Sequence, residues 1–170
     1  MIQRKPALVA RCVAARDVAK AIQFARSENL LVSVRGGDHS AAGNAMCDGG
    51  LAIDLSPMND VAVDPTARTA WAGGGARWRD FDTATMAHTL ATTGGTNSDT
   101  GVGGLTLGGG LGWLAGRYAQ GMYVNGVLEP DTRSIRAAFR PETLQRLVAL
   151  KDKYDPQNVF RQNANIRPSA

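Results

Sequence analysis

Cysteine and histidine are both scarce in this sequence, at two residues each. Cys12 and Cys47 have neither a CxxC spacing nor a histidine cluster beside them. Neither a disulfide framework nor a metal centre is indicated, and both thiols are expected to be small buried hydrophobes. Aromatic side chains make up only 6% of the chain and do not interleave with basic residues. Residues 1–40 and 131–170 each carry a net +4 and residues 41–130 a net −4, so the overall +4 reads as solvated faces and no nucleic-acid partner is expected. No window approaches the roughly 18 apolar residues that span a bilayer, and residues 1–10 lack the apolar core of a signal peptide. No membrane partner is expected, and the cytoplasm is the expected location. Also missing are GxGxxG and GxxxxGK[ST], the dinucleotide fingerprint and the phosphate loop of nucleotide hydrolases. No carboxylate pair or Cys–His arrangement stands out as an acid–base or nucleophilic site, so no catalytic residue is assigned.

Glycine, in contrast, is abundant. It accounts for 20 of 170 residues, where a share of about 7% is usual, and eight of the 20 fall between Gly101 and Gly116. Such a local excess signals a special backbone conformation or a close approach of the backbone to something. The length suits one domain with a real core.

From Asp17 to Glu28, Val18, Ala21, Ile22 and Ala25 recur at helical spacing with basic and polar residues opposite. Leu30–Val34 and Leu51–Leu55 read as strands, the first running into Arg35-Gly36-Gly37 and the second ending at Ser56-Pro57. Residues 60–63 and 69–72 flank the turn sequence Asp64-Pro65-Thr66-Ala67 and read as a hairpin. Trp78, Phe81 and Thr85 mark a second helix; Pro141 opens a third, carried by Leu144, Leu147, Val148 and Leu150 and closed near Asp155-Pro156. His88 is expected at a helix end on the surface, and Asp54, Asp80 and Asp82 as capping or solvated carboxylates.

Two glycine segments carry the functional question. "VRGGDHS" places a glycine pair just after a strand, where backbone N–H groups can turn toward an anion. "GGTNSDTGVGGLTLGGGLGWLAG", residues 94–116, mixes glycine with Thr, Ser and Asn but also carries Val102, Leu105, Leu107, Leu111 and Leu114, so it is expected to be partly buried. Bare backbone there serves either tight packing of elements or a large flat or phosphorylated cofactor lying on it.

The stretches "LLVSVRGGDHSAAGNAMCDGGLAIDLSPMNDVAVDPTARTAWAGGGARWRDFD" and "ATTGGTNSDTGVGGLTLGGGLGWLAGRYA" resemble the FAD-binding domain of the berberine bridge enzyme-like oxidoreductases, within the vanillyl-alcohol oxidase superfamily. "YVN" together with "RLVALKDKYDPQNVFRQNANIRP" is similar to the family's C-terminal segment. The resemblance implies an α+β fold: a truncated FAD-binding domain over 1–119, with an α/β lobe to about 57 and a second lobe over 58–119, and a C-terminal segment over 123–170 packed back on them. It implies a pyrophosphate loop at Arg35, Gly36, Gly37, Asp38 and Ser40, and a covalent link from His39 to the flavin 8α-methyl carbon. Gly95, Thr96, Asn97, Ser98, Thr100, Gly101, Gly104, Gly108, Gly109 and Gly110 would line the flavin. Tyr123, Asn125, Asn163 and Asn165 would return toward the isoalloxazine ring.

The chain departs from that pattern at three places. Asn97 stands where part of the family has a second, cysteine attachment, so a single link is implied. Asp38 stands where the family usually has a third glycine, and a carboxylate there repels a diphosphate and needs more room. Gln120-Gly121-Met122 replaces the rest of the FAD domain and nearly all of the substrate domain, and the family's usual catalytic base goes with it. The resemblance thus implies an FAD-dependent oxidoreductase passing hydride from a small organic substrate to flavin and on to oxygen, or a non-catalytic flavin-binding module left by internal deletion. Apolar surface left open by the missing domain would favour a homodimer.

Overall fold

The structure is a computed structural model that describes residues 3–108, 139–161 and 165–169. Three four-residue strands, β1 (Leu8–Arg11), β2 (Val32–Arg35) and β3 (Leu51–Asp54), form a parallel sheet in the order β1-β3-β2. Helix α1 (Ala15–Ser27) connects β1 to β2. The Asp17 carboxylate accepts the N–H groups of Val13 and Ala14 just ahead of this helix, supplying acceptors that its first turn lacks.

All four residues of β3 are buried, as a central parallel strand requires. Ile53, Val32 and Leu51 meet Ala21 and Ala25 of α1 and Cys12 in the core. Each large apolar side chain buried this way contributes roughly 2 kcal/mol. Cys12 and Cys47 are both free and buried, as the sequence predicts. Strand β1 was not expected, because "LVAR" is short and three of its four residues are exposed. Its pairing with β3, some forty positions away in the chain, is what makes it a strand.

The second lobe starts with the expected hairpin, β4 (Val61–Asp64) and β5 (Thr69–Ala72). The Asp64 carboxylate closes its turn by accepting the N–H groups of Thr66 and Ala67, both at 2.9 Å. Helix α2 (Trp78–Met86) buries Trp78, Phe81 and Thr85, the three residues that mark it in the sequence. Trp78 and Phe81 meet edge to face at 5.5 Å. The Asp80 carboxylate accepts the Arg77 N–H and caps the helix, whereas Asp82 is exposed. His88 lies exposed in the turn beyond the helix.

Helix α3 (Val102–Leu107) forms inside the glycine segment despite Gly103 and Gly104. No residue of α3 is fully buried and Leu107 is 79% exposed, so the expectation of a partly buried segment holds for Val102 and Leu105 but not for Leu107. Leu111 and Leu114 lie outside the described residues.

Helix α4 (Pro141–Tyr154) begins on its proline and ends at Asp155, as expected. The chain returns to the first lobe mainly through the segment after this helix: Val159 and Phe160 pack on the core cluster, while no residue of α4 is fully buried. A polar clamp fixes that return. The Lys151 ammonium donates to the Asp155 carboxylate at 2.5 Å and to the Phe160 carbonyl at 2.8 Å. Asp155 also accepts the N–H groups of Val159 and Phe160.

Two carboxylates therefore link folding to acid. Burial pushes the pKa of Asp155 upward, but Lys151 and the two backbone donors outweigh it and leave the group below the usual carboxylate value. At Asp54 burial is likewise outweighed, here by the Ser56 backbone and hydroxyl donors and by Arg35. A carboxylate depressed in the folded state stabilises it above the unfolded pKa and loses that contribution as pH falls through the folded value. Stability is accordingly expected to fall as pH drops below about 4. Urea midpoints at pH 7 and pH 3 check this: the doubly substituted Asp54→Asn, Asp155→Asn protein should lose less between the two than wild type. Equal losses would contradict it.

Candidate functional site

The parallel register sets one end of the sheet before any loop is considered. Arg11, Asp54 and Arg35 are aligned across β1, β3 and β2, at the carboxyl edge, where open α/β sheets present their ligand sites. Asp54 is buried there, with Arg35 Nη1 at 3.3 Å and Arg11 Nε at 3.8 Å. It also accepts the Ser56 N–H and hydroxyl, so it is a capping carboxylate with an ion pair added.

Beyond Arg35 the chain turns through Gly36 and Gly37. A Cβ built on Gly37 would stand 2.2 Å from the Gly101 nitrogen and 2.5 Å from its Cα. One built on Gly101 would stand 2.6 Å from the Gly37 nitrogen. The two glycine segments, some sixty positions apart in the sequence, thus lie backbone against backbone. At this pair the bare backbone serves packing, one of the two roles left open by the sequence.

Local hydrogen bonds hold the second segment. Asn97 accepts the Asp99 N–H on its side chain and the Thr100 N–H on its carbonyl. The Ser98 and Thr100 carbonyls accept the N–H groups of Arg79 and Trp78 in the first turn of α2. Gly101 bridges to Arg77, and the Val102 N–H donates to Ala76. Asp99 pairs with both Arg77 and Arg79. Gly95 lies against the Trp78 indole, whose buried N–H has no acceptor among the described residues. Thr96 is exposed. Gly104 differs from Gly37 and Gly101: the space where its Cβ would stand is open. Gly108 closes α3.

His39 is exposed beside this junction and makes no hydrogen bond to another described residue. The Ser40 hydroxyl accepts the Asn44 N–H and the Ser40 carbonyl that of Gly43. Asp38 adopts a φ of +61°, the left-handed region that favours glycine. Its carboxylate lies 3.4 Å from Arg35 Nε. Asn165 lines a shallow pocket together with Lys151 and Tyr154 of α4 and with Phe160, its side-chain oxygen buried and without a hydrogen-bond partner among the described residues. Gly109, Gly110, Tyr123, Asn125 and Asn163, and the junction at 120–122, lie outside the described residues. The structure therefore brings Gly37, among the pyrophosphate-loop candidates, against Thr100 and Gly101 of the second segment, and sets Asn165 in a pocket lined by α4. Sequence reasoning missed the Arg77–Asp99–Arg79 cluster, which no local motif marks.

A strand-following glycine turn thus stacks on a second glycine segment at the carboxyl edge of a parallel sheet. The chain belongs to the FAD binding domain family, whose model matches residues 6–132; the "Berberine and berberine like" model matches residues 132–167. Among its relatives are (R)-6-hydroxynicotine oxidase of Paenarthrobacter nicotinovorans, 38% identical over 115 residues that cover 68% of this chain and 25% of the relative, and FAD-linked oxidoreductase pgmH of Aspergillus terreus, 42% identical over 61% of this chain and 21% of the relative. The crystal structure of 6-hydroxy-D-nicotine oxidase from Arthrobacter nicotinovorans superposes with a TM-score of 0.66 at 36% identity, covering 72% of this chain and 26% of that one. A chitooligosaccharide oxidase superposes at 0.61 and 30% identity, over 65% and 24%. The chain spans about a quarter of the length of these proteins. The truncated α+β domain expected from the sequence is the fold observed.

Proposed function

We propose that the chain binds FAD across the stacked glycine turns and is the flavin-bearing part of an oxidoreductase acting on a small organic substrate. The observation that supports this reading is the backbone contact between Gly37 and Gly101, which joins the turn that continues into exposed His39 to the segment that continues into Gly104, where the Cβ position is open. These residues fit the group. Arg35 has a buried Nε donor with no hydrogen-bond acceptor among the described residues, a donor available to an anion at the turn. Bound flavin would supply acceptance of a hydride and its return to oxygen.

The protein's own share is to bind and orient. Arg35 and the 36–40 turn would hold the diphosphate, and Gly104 the flat ring system. His39 would supply the imidazole nitrogen that holds the ring at its 8α carbon. A homodimer through exposed apolar residues, with Trp71, Met86 and Leu107 among those described, belongs to the same proposal.

Acid precipitation of the expressed protein, with the pellet's visible spectrum and the intact mass, tests the attachment. The expected result is a yellow pellet carrying one added FAD in wild type and a colourless pellet in His39→Ala. A colourless wild-type pellet at apo mass, after incubation with excess FAD, would overturn it.

A further inference from the structure

We infer that Asp38 is an internal counter-ion that occupies Arg35 in place of a phosphate, and so sets a weak affinity for the diphosphate half of the ligand. The inference rests on the reading of the 36–40 turn as a phosphate loop. Arg35 is flanked by two carboxylates: Asp54 holds Nη1 at 3.3 Å, and Asp38 lies 3.4 Å from Nε. Asp54 is buried and also held by Ser56, so it belongs to the sheet edge and stays. Asp38 is exposed, belongs to the turn itself, and stands beside the Arg35 Nε donor, which is buried and makes no hydrogen bond among the described residues. The contact is a charge pairing without an aligned N–H···O bond.

With both carboxylates in place the guanidinium is already neutralised on the side of the loop. Arg11, a second cation on Asp54, is exposed. An incoming diphosphate would have to displace Asp38 and then sit beside it. Nothing in the backbone calls for aspartate here. At a φ of +61° the position suits glycine best and asparagine next, so Asp38 is held in a disfavoured conformation while its charge opposes the ligand. Removing the charge should leave the turn intact and free Arg35 for an anion.

The probes are ADP, which carries the diphosphate and cannot form a flavin bond, and riboflavin, which carries the ring without phosphate. Each, and FAD beside them, is titrated by calorimetry into the flavin-free full chain as wild type, Asp38→Asn and Asp38→Gly. Both substitutions suit the left-handed backbone, and Asn isolates the charge from the volume. We expect ADP to bind at least about tenfold tighter to both variants, with riboflavin unchanged. ADP affinities equal within twofold in all three proteins, with FAD still bound, would overturn the role of Asp38 and leave the flavin reading standing. An equal gain for riboflavin would show a steric effect and overturn it too. Failure of all three proteins to bind either ADP or FAD would overturn both.

Discussion

Gly37→Ala is expected to separate the two glycine segments. The added methyl would meet the Gly101 backbone at 2.2 and 2.5 Å, and neither partner is a side chain that can rotate away. Overpacking of this kind costs about 1–3 kcal/mol when side chains can adjust, so a loss near the top of that range is expected where backbone must move. The damage should extend past the turn. Gly101 is tied to Arg77, Thr100 to the start of α2, and Val102 to Ala76, so a displaced Gly101 disturbs the first turns of both α2 and α3. A lowered urea midpoint together with lost FAD binding is the expected outcome. Unchanged stability would mean that the turns do not stack.

Gly104→Ala should do the opposite to the apo protein. Its Cβ position is open and it lies within α3, where alanine is favoured over glycine by up to about 1 kcal/mol. The apo chain should hold or gain stability, while FAD binding weakens at least about tenfold because a methyl now stands where the ring system would lie. Thermal unfolding without ligand and a flavin titration measure the two effects separately. FAD binding equal to wild type would remove Gly104 from the site. The pair of substitutions divides the two meanings of a bare glycine that the sequence leaves open: packing, observed at Gly37, and ligand contact, proposed for Gly104.

Where side-chain periodicity carries the information, the fold is legible in the sequence. The spacing of Val18, Ala21, Ile22 and Ala25 gives α1, and Trp78, Phe81 and Thr85 give α2 with the buried face that is observed. Asp64 and the residues after it give the hairpin turn. Strand β1 and helix α3 are illegible for physical reasons. Leu8–Arg11 becomes a strand only by pairing with Leu51–Asp54, and Val102–Leu107 is helical against the propensity of Gly103 and Gly104 because Gly101 and Val102 are fixed by Arg77 and Ala76. Sequence-local signals contain neither contact.

The site divides the same way. Its first turn is legible because a glycine pair follows a strand, and the resemblance supplies the ligand. The stacking of Gly37 on Gly101 is a tertiary contact that spacing does not encode. The left-handed backbone at Asp38 explains physically why glycine suits that position, something the sequence alone presents only as a departure. Asn165 is legible as a tail residue, but its place in a pocket beside Lys151 is not, because Lys151 and Asp155 sit four positions apart and read as an ordinary surface pair until burial is known.

The central claim is that the stacked glycine turns form a flavin-nucleotide site, and a titration of the full apo chain with FAD, followed by quenching of flavin fluorescence, tests it most directly. Saturable binding of one FAD per chain, tightened in Asp38→Gly and weakened in Gly104→Ala, is the expected result. No saturable quenching in wild type or in Asp38→Gly, with both proteins folded, would contradict it.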